Sequence, residues 1–298
     1  MNDKRRRGFW GTLGCLVGLH RWTIVGYNSI ILPTRLGTAT QAAGAFRAEG
    51  SPIKVSGLTF GSLTLTPKNL AVILTATEEM IRRSKAVDLA AYFQNAIIKD
   101  TATALDTLYV SATAGSVIQP AGIRNSLPVG DTRPASGTGT AANIMTDLKA
   151  MLTAMSNANM GGSQTVWMMH SKNWLAVSMA LNAVGTLMFP ETANGTLVGI
   201  PVIVSNTIDP AIVLLQDCEW ITFAMGAPQF DVSMQATLHE ETVPLPISSV
   251  GTPNVVAAPV RSLFQTNTSA FRMLLDADWA KLRPTGGSVQ ELTSVAWQ

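Results

Sequence analysis

The period of apolar and polar positions changes several times along the chain, and each change marks an element. Residues 23–50 show no helical period. The Pro33-Thr34-Arg35 step and the Ala/Gly/Thr run to Ala45 predict an extended strap without a core of its own. Residues 53–74 shift to short β-prone pieces. Lys54-Val55-Ser56-Gly57-Leu58-Thr59-Phe60 and Ser62-Leu63-Thr64-Leu65-Thr66, punctuated by Gly61 and Pro67, predict a long projecting hairpin. A two-stranded ribbon is marginal alone, so strap and ribbon are expected to gain order by lying on a neighbouring molecule.

Thr75 and Glu78 stand at capping-box spacing, and no Gly or Pro follows until Gly115. Val87, Ala90, Ala91, Ile97, Ile98, Leu105 and Leu108 recur along one stripe. Together these predict one helix over about residues 78–109, on the order of 45 to 50 Å long at 1.5 Å rise per residue. Residues 114–139 read as an irregular Gly/Pro/Ser/Thr connection. Ile144, Leu148, Met151, Leu152 and Met155 give a second helix stopped by Gly161-Gly162. Residues 165–170 read as a short buried strand, with Ser171 capping a third helix to about residue 184. Residues 197–205, 211–215 and 220–225 read as further apolar strands, so residues 115–228 form an α/β layered unit. Residues 229–243 and 269–283 are half-alternating strands expected to pair beside the long helix.

Composition changes the picture in one respect. The chain has 298 residues, 47% hydrophobic and only 13% charged, well below the roughly 25% charge of an average soluble domain. Such a surface leaves apolar area facing outward unless other copies cover it, which predicts an obligate oligomer. Residues 1–50 hold seven Lys/Arg against Asp3 and Glu49, while the other 248 residues carry 14 basic against 17 acidic groups. The basic character therefore belongs to an N-terminal arm, read either as a polyanion or membrane contact or as a solvated tail. Lys4 to Arg7 and the apolar run 8–19 mimic a secretory signal, but His20, Arg21 and Trp22 end the run short of a membrane span. Two distant cysteines, Cys15 and Cys218, predict no disulfide framework and fit a reducing compartment.

Catalytic patterns are weak. His239-Glu240-Glu241 lacks the second histidine of a zinc protease helix. His170 and Ser171 are adjacent on a strand-to-helix step and point apart, and no GxSxG surrounds the serine. Gly137-Thr138-Gly139 lacks the third glycine of a dinucleotide fingerprint. Asp276 and Asp278 share a strand face and read as a solvated face or as partners for arginines, with a carboxylate dyad as the alternative. Met151, Met155, Met160, Met168 and Met169 fall at core spacings. No catalytic, cofactor or metal site is expected.

The order of arm, projecting hairpin, spine helix, α/β unit and terminal strands resembles the major capsid protein of tailed bacteriophages, the Hong Kong-type α+β fold shared with encapsulins. Gly50-Ser51-Pro52-Ile53-Lys54-Val55-Ser56-Gly57-Leu58-Thr59-Phe60-Gly61 resembles the family's projecting loop. Lys68-Asn69-Leu70-Ala71 to Thr77-Glu78-Glu79-Met80 resembles the strand returning into the spine helix. Val166-Trp167-Met168-Met169-His170-Ser171-Lys172-Asn173-Trp174 and Gly195-Thr196-Leu197-Val198-Gly199-Ile200-Pro201-Val202 resemble steps of the axial domain. Arg272-Met273-Leu274-Leu275-Asp276-Ala277-Asp278-Trp279 with Arg283-Pro284-Thr285 resembles the last peripheral strand.

The resemblance implies five segments: an N-terminal arm (1–43), an extended loop (44–74), a peripheral domain with the spine helix (75–113), an axial domain (114–228) and the rest of the peripheral domain (229–298). It implies a structural, non-enzymatic subunit that assembles with itself into hexamers and pentamers of an icosahedral shell around double-stranded DNA, bound without sequence specificity and without a membrane. The assembled protein would reside in the virion, built in the host cytoplasm. A portal protein and separate scaffolding or decoration proteins would be partners; the helical scaffolding region that many relatives carry before the arm is absent, so scaffolding would be a separate protein, already removed, or not needed. Candidate contacts between subunits are Arg35, Arg47, Lys54, Phe60, Lys68, Glu78, Arg82, Arg83, Asn267, Asp276, Asp278 and Arg283. Lys54 and Asn267 fall near positions that some relatives crosslink, but Leu274 stands where the acid would be, so no crosslink is expected. Alternatives are an encapsulin-like compartment shell, a hydrolase using Asp276, Asp278 or His170, and an exported, membrane-attached oligomer led by residues 4–19.

Overall fold

The computed structural model describes residues 21–23, 29–36, 46–53, 59–83, 89–239, 248–249, 255–256, 260–283 and 286–297. The expectations for the basic run at residues 4–7 and for Lys54 lie outside the described residues. In chain order come β1 (Arg21–Thr23), β2 (Ile30–Leu36), β3 (Thr59–Leu65), β4 (Lys68–Thr77), α1 (Glu78–Arg83) and α2 (Leu89–Tyr109). Next are β5 (Thr132–Pro134), α3 (Ala141–Asn157), β6 (Thr165–Met169), α4 (Ser171–Ser178), β7 (Thr196–Leu197), β8 (Ile200–Val204), β9 (Val213–Asp217) and β10 (Ile221–Met225). Then follow β11 (Gln229–Ser233), β12 (Thr237–His239), β13 (Ser248–Ser249), β14 (Val255–Val256), β15 (Val260–Ser262), β16 (Thr268–Lys281) and β17 (Val289–Thr293). The chain divides into two compact units: Met1–Lys68 with Ala102–Gly226 and Ala277–Gln298, and Asn69–Thr101 with Ala227–Asp276.

The first unit is built on a six-stranded mixed sheet in the order β5-β17-β9-β6-β8-β7. β6 (TVWMM) and β9 (VLLQD) are buried at every position, as near-continuous apolar runs demand when both faces are covered. Helix α3 starts at Thr140, whose Oγ1 accepts the Asn143 amide at 3.4 Å. It lays Ile144, Leu148, Met151 and Met155 against Trp167, Met169, Val213, Leu215 and Leu292. The five methionines singled out from spacing are all buried in this unit. Trp167 keeps its indole N–H satisfied by donating to the Leu197 carbonyl at 3.1 Å.

The same unit corrects several expectations. Residues 277–298 fall in the first compact unit, and β17 within them joins the α/β sheet between β5 and β9, parallel to the former and antiparallel to the latter. The polar Gln290 and Glu291 of this strand hide its buried character, because each is buried on a polar partner. Gly61 makes no turn, and residues 54–58 of the predicted hairpin lie outside the described residues. Thr59–Leu65 runs through Gly61 as one strand, paired antiparallel with β2 from Ile30↔Leu65 to Leu36↔Thr59. The strap thus has a partner in its own chain, and Leu32 and Leu65 are buried with Ala224. β1 joins the edge of β10 in parallel, and β10 pairs antiparallel with the last part of β16, from Ile221↔Lys281 to Met225↔Ala277. Helix α4 ends at Ser178 and is capped by His170, whose Nδ1 accepts the Lys172 amide at 3.0 Å; Ser171 is its first residue. Cys218 is disulfide-bonded, against the expectation of unpaired cysteines; the other cysteine, Cys15, lies outside the described residues.

In the second unit β11 pairs antiparallel with β16, from Gln229↔Leu274 to Ser233↔Ala270, as the half-alternating patterns predict. β12 pairs with β15 and β13 with β14. Phe93 of α2 meets Phe271 of β16 with ring centroids 5.7 Å apart. The helix expected over residues 78–109 is described as α1 and α2, with residues 84–88 outside the described set. The 21 residues of α2 span roughly 31 Å at 1.5 Å per residue. The cap of α1 is Thr77, which accepts the Met80 amide at 3.4 Å, and not Thr75, which lies inside β4.

Candidate assembly interface

Most of the expected contact residues are engaged within their own chain. In the first unit Arg47 donates to the Ser51 carbonyl at 2.6 Å across a turn. Arg35 pairs through its backbone with Phe60, and its side chain lies outside the described residues. Arg283 donates through Nη1 to the Ala158 carbonyl at 3.1 Å. Asp278 is buried and accepts the Thr66 amide at 2.7 Å and the Trp279 amide at 2.9 Å. Burial pushes its carboxyl above the usual range; the two amides and the charge of half-buried Lys68 pull it back part of the way.

In the second unit Asp276 accepts from the Asn69 side-chain amide at 2.9 Å. Glu78 accepts from the Ser269 hydroxyl and lies 3.7 Å from Arg82 Nε. Its amide donates at 2.9 Å to the carbonyl of Asn267, a turn residue at φ +46°. Arg83 pairs with Glu79 at 3.5 Å with both side chains largely exposed, a pair worth a few tenths of a kcal/mol at most. Asp276 and Asp278 therefore serve separate intrachain amides, and their arrangement has no feature of a proton-sharing dyad. His170 is likewise spent on capping α4.

Phe60 alone among the twelve is a large apolar side chain left in water, 65% exposed on β3. The exposed apolar set goes far beyond it. Ile31 and Ile73 stand on strand faces, Phe230 and Val232 on β11, and Val117, Val129 and Val184 on loops. Sequence reading passes over the loop members because Gly, Pro and Ser around them dominate the local signal. The usable clue is an aliphatic β-branched residue inside a turn-rich segment, where solvation gives no reason for one. Among the described residues no group of three or more His, Cys, Asp or Glu is placed to hold a metal ion. Among them too, no helix is long and apolar enough to cross a membrane, which does not bear on a β-barrel.

A strap strand paired with a loop strand, a helix leading into a mixed α/β sheet, and a long late strand make up the Hong Kong-type α+β fold. The model of the Phage capsid family matches residues 24–226, more than half of the chain, and the chain belongs to that family. It is 28% identical over 270 residues to the capsid polyprotein of Pseudomonas phage PAJU2, covering 88% of this chain and 39% of that one. The chain thus spans about two fifths of the length of the curated relative it matches. Among solved structures it is similar to a chain from Mycobacterium phage Cain, with TM-score 0.67, 16% identity, and 94% and 89% of the two chains covered. It is also similar to the capsid of an empty GTA particle computed with C5 symmetry, with TM-score 0.60, 16% identity, and 96% and 90% covered. At such identities the structural likeness shows the fold.

Proposed function

We propose that this chain assembles with itself into hexamers and pentamers of a closed icosahedral shell that encloses double-stranded DNA. The observation that carries the reading is the family match over residues 24–226, on a subunit that leaves aliphatic and aromatic side chains of its strands and loops in water. Burying apolar surface yields about 25 cal/mol per Å2, so a repeated small contact supplies the cohesion of a shell without any one strong bond. On this reading the six-stranded unit is the axial domain at the capsomer centre, the segment before β4 lies over a neighbour, and α2 with β11 and β16 forms the periphery. Charge is sparse beyond the N-terminal arm, and a nearly neutral lining lets a polyanion pack without being fixed in register. The chain is a structural component and not an enzyme; its location is the virion, after assembly in the host cytoplasm. A portal protein and separate scaffolding or decoration proteins complete the particle.

Electron microscopy of the purified full chain tests this. Closed shells with five- and six-fold capsomers containing nuclease-protected DNA are expected when the phage's packaging components are present. Monomers or small closed rings across salt and pH would refute it, and shells filled with protein cargo would assign an encapsulin-like compartment instead.

A further inference from the structure

The excursion between α2 and β5 is a built stem-loop. Its stem is closed by backbone bonds from the Gly122 amide to the Thr113 carbonyl (3.0 Å), Arg124 to Ser111 (3.2 Å) and Ile123 to Tyr109 (2.8 Å). At the tip the Ser116 amide donates to the Gln119 carbonyl at 2.9 Å, and its Oγ accepts the amides of Ile118 and Gln119 at 3.2 Å each. This fixed turn holds Val117 and Ile118 out in water, 93% and 82% exposed. Two adjacent aliphatic β-branched side chains displayed on a braced loop are a poor choice for a solvated surface and a good one for an anchor.

At the root of the same stem lies a recess of about 250 Å3 walled by Ala121, Ile123, Trp279 and Ala280, with Lys281 beside them. Asn125 and Ser126 stand at its rim, the Ser126 hydroxyl donating to Asn125 Oδ1 at 3.1 Å, and the N–H groups of the wall are spent on the chain's own carbonyls. The Trp279 indole donates to Ala121 at 2.7 Å, and Lys281 Nζ donates to Asn125 at 2.8 Å and Ile123 at 3.4 Å. What remains for a visitor is a mainly apolar wall with the Asn125 and Ser126 side chains at one side.

We propose that the Val117-Ile118 tip of one copy seats in the Ala121/Ile123/Trp279/Ala280 recess of the next copy in a capsomer ring, a partner assignment that rests on the self-assembling shell reading above. The occupant is a second copy because tip and recess belong to one compact unit of one chain, so every subunit supplies both halves. The halves match electrically: residues 111–123 carry no charged side chain, and the Lys281 ammonium is already satisfied by carbonyls. A copy cannot fill its own recess, because the stem that ends in the tip begins beside it and is closed by its three backbone bonds. A contact joining two different patches is heterologous, and such contacts close into rings when the rotation allows.

The test uses the full chain carrying Ile118→Cys and Ala280→Cys together, with each single variant as control for the native cysteines. Samples are mildly oxidised, imaged by electron microscopy and run on a non-reducing denaturing gel. Shells whose double variant gives a ladder of covalent multimers absent from both single variants are the expected result. Shells whose double variant stays monomeric on the gel would overturn the contact while leaving the shell reading intact. If the double variant forms no shells, Val117→Ser with Ile118→Ser decides. At least a tenfold rise in the concentration needed for assembly, at unchanged thermal midpoint, supports the contact, and an unchanged concentration refutes it. A wild-type chain that never forms shells would remove the underlying reading and the contact with it.

Discussion

Arg124 donates through both Nε (3.0 Å) and Nη2 (2.6 Å) to one carboxylate oxygen of Glu291, tying the foot of the stem-loop to β17, one strand in from the edge of the six-stranded sheet. The Glu291 side chain is 6% exposed and that of Arg124 19%. Removing only the cation strands a buried carboxylate, which costs about 3 kcal/mol. Arg124→Ala is expected to lower the unfolding free energy measured in urea by that amount, and Arg124→Leu with Glu291→Leu to recover most of it; equal losses in both would show that packing, and not charge, is at work.

Asp278 sets a pH dependence whose sign follows from its burial. Its folded pKa lies above the unfolded value, so the folded state holds the proton longer. The stability this group contributes is complete below the ordinary carboxylate pKa and is lost as pH rises through the raised one. Urea midpoints measured across that window are expected to fall with pH in the wild-type chain more steeply than in Asp278→Asn. Parallel curves would show that the carboxyl is not held out of water.

Tyr109 and Gln216 form a buried pair, the phenol donating to Oε1 at 3.0 Å and accepting from Nε2 at 2.8 Å. Burial pushes the Tyr109 phenol well above its usual pKa, so it stays a neutral donor at all working pH values. Tyr109→Phe removes both bonds from an amide that is fully buried, and a loss of about 1–3 kcal/mol is expected in chemical denaturation.

Gly122 is the close-approach point of the stem. A Cβ there would lie 2.1 Å from the Ser111 carbonyl oxygen, a backbone atom that cannot swing aside. Gly122→Ala is expected to cost at least about 2 kcal/mol of stability, read as a drop in melting temperature, whereas alanine at Gly130, which meets nothing within 4 Å, should be nearly silent.

Phe60 separates folding from assembly. It is exposed in the isolated subunit, so Phe60→Asp is expected to leave the unfolding free energy in urea within about 0.5 kcal/mol of wild type while reducing shell yield. An unchanged yield by light scattering would place β3 on a free surface.

Elements whose apolar residues face a core were legible in the sequence: α3 by its 144-148-151-155 stripe, β6 and β9 by the apolar runs at 166–169 and 211–215, and the pairing of β11 with β16 by alternation. What escaped depends on partners distant in sequence. β2 and β3 read as a strap and half of a hairpin because nothing local tells a strand which neighbour it will take, and Gly61 mimics a turn it does not make. β17 escaped because Gln290 and Glu291 are polar and yet buried, each held by a side chain more than 150 residues away. Caps slipped by one or two residues where a better acceptor stood nearby: His170 in place of Ser171, and Thr77 in place of Thr75. Of the interface candidates, charges chosen by resemblance were spent inside the chain, while aliphatic residues in turns had no pattern to announce them.

The placement of Val289–Thr293 between β5 and β9 also dictates a timetable. A ribosome must synthesise through residue 293 before the central sheet can close, since the two strands flanking that slot are made 70 to 160 residues earlier. Until then the nascent polypeptide carries an open seam, with the β9 edge that Val289–Leu292 will cover left without its partner.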